Sequence, residues 1–122
     1  MRSIALPALF LIVSAGCAVT GVEGERMRLG SDAFAAYVEA VFRRQNEVAA
    51  ELALALEREP LESERFSRLE DAELGLLTAC RGLNEIARAQ RDGERIGGLG
   101  ALKRARRTPD CELATERAAA LL

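Results

Sequence analysis

The chain has no histidine and no tryptophan, and only one tyrosine and four phenylalanines among its 122 residues. Without histidine, the usual base for a serine or cysteine nucleophile is missing, and catalysis is not expected. Scarce aromatics also remove the stacking platforms that single-stranded nucleic acid needs. The charge balance points the same way: 17 Lys and Arg stand against 19 Asp and Glu, a net charge of −2. No nucleic-acid partner is expected from such a balance. No internal repeat is present, and no segment shows the strict alternation that a strand requires. The longest apolar run, residues 4–13, is too short to cross a bilayer comfortably.

That run belongs to an N-terminal pattern that is more telling than any other part of the chain. Arg2 supplies a short positive start, IALPALFLIV follows, and Ser14, Ala15 and Gly16 place three small residues before Cys17. Positive start, apolar middle and small-residue end are the parts of a secretory signal. The stretch Val13-Ser14-Ala15-Gly16-Cys17 resembles the lipobox of bacterial lipoprotein precursors. The resemblance implies cleavage directly before Cys17, a diacylglyceryl thioether on its sulfur, and acylation of the new amine. One position departs from the pattern: Ser14 stands where the family has Leu, Val or Ile, with Val13 one step earlier. The competing readings are an ordinary secretory signal cut near Gly16 or Ala18, and an uncleaved anchor. Ala18, rather than Asp, follows the cysteine, which in Gram-negative lipoproteins resembles the outer-membrane-sorted class. The resemblance covers about 20 residues of the chain and implies a lipid-anchored protein on the periplasmic face of the outer membrane. The expected division is a signal over 1–16, lipidated Cys17 with a flexible tether over 17–30, and a helical domain over 31–122.

With Cys17 committed to lipid, Cys80 and Cys111 remain. In an exported protein two such thiols most simply form a disulfide, the alternative being two buried free thiols. Removing Arg2 with the signal leaves 16 basic against 19 acidic residues, a net charge of −3.

Residues 18–30 carry three glycines and no sustained period, hence the expectation of a tether. Ser31-Asp32 is a helix start, with a serine to cap and an acid at the positive end of the dipole. Phe34, Val38, Val41, Gln45, Val48, Leu52 and Ala55 then fall three and four apart, and Tyr37, Phe42 and Leu56 widen that stripe. Pro60 stops the helix. Ser63 caps a second, whose stripe runs Phe66, Leu69, Glu73, Leu76, Cys80, Leu83 and Ala87 before Asp92-Gly93 ends it. The short turn folds the two antiparallel, setting Leu52 near Leu69, Val41 near Cys80 and Phe34 near Ala87. Ile96 to Gly100 reads as a glycine-rich bend, and residues 101–107 as a short helical piece. Thr108, Pro109 and Asp110 read as N-cap, first-turn proline and first-turn acid of a final helix reaching about Leu121. The expected fold is all-α: an antiparallel helical hairpin plus a shorter C-terminal helix stapled by a Cys80–Cys111 disulfide.

The remaining motifs carry little chemistry. Gly98-Leu99-Gly100 follows no strand and is not followed by Gly-Lys-Ser/Thr, so no phosphate loop is expected. Lys103, Arg104, Arg106 and Arg107 form the densest basic patch, a candidate interaction surface for anionic headgroups or another polyanion. The competing reading is a solvated helix end, with Asp110 and Glu112 nearby. Glu62, Glu64, Glu70, Asp71 and Glu73 interleave with Arg65 and Arg68 at helical spacing, which reads as a salt-bridged surface. Glu73 lies on the apolar stripe, as a polar seam residue or where the stripe drifts outward. Leu54 and Leu56, off the narrow stripe, are available for a partner helix or a second copy. No metal or cofactor is expected. The chain reads as a lipid-anchored envelope protein with a structural or interaction role, bound to an envelope partner or to itself. Binding of a small apolar ligand is the second reading. A redox enzyme would need Cys80 and Cys111 to cycle.

Overall fold

A computed structural model of the chain describes residues 18–95 and 97–122. The signal segment and Cys17 lie outside the described residues. Two short strands open the fold, β1 (Ala18–Thr20) and β2 (Arg26–Arg28), and four helices follow: α1 (Asp32–Arg58), α2 (Glu64–Arg91), α3 (Gly98–Ala105) and α4 (Thr108–Ala119).

The long helices begin and end for local reasons. Ser31 and Ser63 each accept a backbone N–H three residues on, from Phe34 at 3.1 Å and Phe66 at 2.9 Å. Each cap satisfies a donor that the first turn leaves without an intrahelical partner. Glu59, held extended ahead of Pro60, closes α1. At the end of α2, Gly93 takes φ +68°, the left-handed turn that lets the chain leave the helix axis.

Burial follows the heptad-like stripes. Val41, Val48 and Leu52 of α1 pack with Leu69, Leu76, Cys80 and Leu83 of α2, and with Cys111 and Ala118 of α4. Leu52, Leu69 and Cys80 are fully excluded from solvent. α4 lies against both long helices, so the antiparallel pair is completed as a three-helix bundle. The all-α expectation with its shorter C-terminal helix is therefore met, and Cys80 is bonded to Cys111. Leu56 packs against this core rather than standing free of it, while Leu54 is exposed.

The segment expected to be a flexible tether is instead folded. β1 and β2 pair antiparallel, with Ala18 opposite Arg28, Val19 opposite Met27 and Thr20 opposite Arg26. Gly21 and Glu25 close the turn, the Gly21 N–H donating to the Glu25 carbonyl at 2.8 Å. Gly24 supplies the φ of +86° that the turn needs. Only one residue of each strand points inward, Val19 and Met27, and these pack on Phe34 of α1 and Ala105 of α3. That second cluster meets the main core through Tyr37 and Val38, which touch both.

Two further boundaries differ from expectation. Gly98, Leu99 and Gly100, expected as a bend, form the first turn of α3. Packing of Ala105 against the hairpin and of α3 against α2 outweighs the cost of helical glycine. Thr108 does not cap α4: Arg107 occupies that position, and Thr108 is already helical with its hydroxyl buried and lacking a hydrogen-bond partner.

Candidate functional site

The disulfide is the best-defined chemical feature of the described residues. The Cys80 and Cys111 sulfurs are bonded at 2.04 Å, and both residues are 0% exposed. α2 contributes Cys80 from the centre of its apolar stripe, and α4 contributes Cys111 from its first turns. Thr115 donates its hydroxyl to the Cys111 carbonyl at 2.8 Å, within the same dry region. Disulfide exchange needs a thiolate to reach a sulfur, and no solvent path leads to this pair. The arrangement is that of a structural crosslink.

The four cations of the basic patch do not act as one. Arg104 turns back to α2 and donates to Glu85 Oε2 at 2.5 Å, and Arg107 meets Asp110 at 3.1 Å. The Arg104 guanidinium holds the Glu85 carboxyl below its ordinary range. Lys103 and Arg106 stay exposed. The patch is thus divided between intramolecular pairs and solvent. The acidic series behaves similarly: Glu62, Glu64, Glu70 and Asp71 are exposed, and Glu73 is half-buried where its stripe meets the surface. Arg65 pairs with Glu59 at 2.9 Å, across the interhelical turn rather than along α2. Among the described residues, no group of three or more carboxylates or cysteines is arranged to hold a metal ion.

Polar pairings that the sequence pattern did not foresee tie the bundle together. Tyr37 donates its hydroxyl to Glu112 at 2.6 Å, joining α1 to α4. Burial, then that hydrogen bond and the neighbouring Glu112 charge, push the phenol far above its usual range. Arg44 donates to Glu116 at 3.2 Å along the same seam, and the contact raises its pKa further. Gln45, the polar member of the α1 stripe, is buried and donates to Asn84 of α2.

A groove of about 890 Å³ lies at the opposite end from the α1–α2 turn. Its walls come from the segment after β2, the start of α1, the end of α2 and α3. Leu29, Phe34, Val38, Phe42, Ile86 and Ala101 make it predominantly apolar. The charged residues around it, Asp32, Glu39, Arg91 and Glu94, are all exposed and stand at its mouth. A volume of several hundred cubic ångströms with an apolar lining and a polar rim is typical of small-molecule sites. No sequence signal announced it, because its lining comes from four segments that are separated in the chain. A shallower groove of about 570 Å³ runs between α2 and α4, bordered by Arg68, Asp71, Arg107 and Leu113. Among the described residues no helix is long and apolar enough to cross a membrane.

Comparison with known protein families, curated proteins and solved structures finds no match to this chain.

Proposed function

We propose that this chain is a lipid-anchored protein of the bacterial cell envelope with a non-catalytic structural or protein-interaction role. The observation that carries the reading is the buried Cys80–Cys111 disulfide. Such crosslinks persist in oxidising, extracytoplasmic compartments. That compartment is where the Arg2 start, the apolar run and Ser14-Ala15-Gly16 before Cys17 would send the chain. The pair also accounts for every cysteine after Cys17. Cys17 would carry the lipid, and Ala18 favours the periplasmic face of the outer membrane over the inner membrane.

The interaction role is supported by leucines that the bundle does not use. Leu61, Leu74 and Leu77 are 78%, 64% and 59% exposed, and Leu54 is half-exposed. Such residues suit docking of an envelope protein or of a second copy. Two measurements test the reading. Intact mass of membrane-extracted protein should match residues 17–122 plus acyl groups, with two thiols appearing only after reduction; a mass without acyl groups overturns the anchor. Crosslinking in intact cells should give adducts, whereas monomer bands alone at several linker lengths overturn the interaction role.

The apolar groove favours a second reading, binding of a small apolar ligand between the hairpin and the helices. Delipidated protein that shows neither a retained ligand in native mass spectrometry nor a thermal shift with fatty acids would exclude it.

A further inference from the structure

The folded hairpin fixes where the chain arriving from Cys17 enters the domain. Ala18 is paired with Arg28, and the wall of the apolar groove begins at the next residue, Leu29. A trans peptide sets consecutive Cα atoms 3.8 Å apart, and paired Cα atoms of an antiparallel ladder lie about 4.5–5.5 Å apart. Ala18 is therefore one ladder pair and one peptide from Leu29, and Cys17 directly precedes Ala18 in the sequence. A lipid on Cys17 would be attached one residue from the paired end of β1, whose partner strand leads directly into the groove wall.

We propose that one acyl chain of lipidated Cys17 lies in this groove, against Leu29, Phe34, Val38, Phe42, Ile86 and Ala101. The inference rests on the lipidation of Cys17 proposed above. Three observations select this occupant. The lining is aliphatic and aromatic, while the charges stand at the mouth, so the groove suits a hydrocarbon chain rather than a polar ligand. The attachment point is next to the wall, so the chain enters as an intramolecular ligand and loses little translational freedom. Finally, the groove is built partly by the hairpin end and by α3, the two elements that Val19, Met27 and Ala105 pack together.

The arrangement has a functional meaning. One acyl chain holds a protein to a bilayer only marginally, and two anchor it stably. A diacylglyceryl thioether and an acylated amine supply three chains, so one seated in the groove leaves two in the bilayer and the anchor stays stable. The seated chain then ties the folded domain to the anchor at a second point.

The test uses full-length protein made in cells fed a diazirine-bearing palmitic acid, irradiated in intact membranes and mapped by mass spectrometry. The expected result is an intramolecular crosslink joining the Cys17 peptide to peptides containing Phe34–Phe42 or Ala101. Ala35→Phe, at an exposed wall residue, and Ala101→Phe should each fill the groove and abolish most of that crosslink while label remains on Cys17. Melting curves of both variants identify either one that fails to fold, and the other then decides. Label on Cys17 that crosslinks only to phospholipid overturns the groove assignment and leaves the lipid anchor standing. A crosslink to the groove from label not bonded to the Cys17 peptide, or from Cys17 of a second copy, also overturns it. Absence of label on Cys17 overturns both this inference and the anchor.

Discussion

The Tyr37 hydroxyl donates to Glu112 Oε2 at 2.6 Å, joining α1 to α4 across 75 positions of sequence. Because Tyr37 also touches both apolar clusters, this bond sits where the hairpin end of the domain meets the bundle. Tyr37→Phe should lower stability by about 1–2 kcal/mol, the worth of a hydrogen bond to a carboxylate reduced by partial exposure. Glu112→Gln should cost less, and a double-mutant cycle by urea denaturation isolates the pair.

The same contact predicts an alkaline response. The folded phenol is raised above its ordinary value, so the folded state keeps a proton that the unfolded chain releases. Stability should therefore fall as pH rises above about 10, at a slope set by one proton. Relative to Tyr37→Phe, the wild-type melting temperature should drop more steeply in that range.

Removing the crosslink should be the costliest single change. A separation of 31 residues predicts a loss of about 3.5 kcal/mol in the chain-entropy model for Cys80→Ala with Cys111→Ala. Because both sulfurs are inaccessible, mild reductant should leave the folded protein oxidised and act only once denaturant opens it. Thiol labelling with and without urea measures both statements.

Val19 separates a folded entry from a tether. It is 1% exposed, so Val19→Ala should destabilise the domain by about 2 kcal/mol. A substitution in a flexible segment would change nothing measurable. Hydrogen exchange should also show protected amides within 18–28.

Thr108 offers a stabilising change. Its buried hydroxyl has no hydrogen-bond partner, so the isosteric Thr108→Val should raise stability by up to about 1 kcal/mol. An unchanged or lowered melting temperature would mean that the hydroxyl is satisfied in solution.

Much of the bundle was legible in the sequence because its signals are local. Ser31 and Ser63 announce their helices, and the spacing of Val41, Val48, Leu52, Leu69, Leu76 and Leu83 gives each buried face directly. The pairing of Cys80 with Cys111 followed from counting cysteines in a chain whose first residues read as an export signal. The hairpin was not legible, because a three-residue strand with one inward side chain has no period to detect. Its glycines look the same in a loose tether and in a tight turn. Thr108 misled because its cap signature is genuine, yet packing set the helix start one residue earlier. The groove has no local signature at all, since Leu29, Phe34, Ile86 and Ala101 meet only after four elements have assembled.

The disulfide also decides how the domain would carry load. Tension applied at Ala18 and at the C-terminal end passes along the chain to Cys80, crosses the sulfur bridge to Cys111, and leaves through α4. The end of α2 and the whole of α3 lie in the bypassed loop and bear none of it. Stretching would therefore release a contour shorter by roughly 100 Å than the residue count implies, the length of the 31-residue separation when extended. A pull between those two points thus loads the hairpin, α1 and the start of α2, and leaves the chain between Cys80 and Cys111 free of tension.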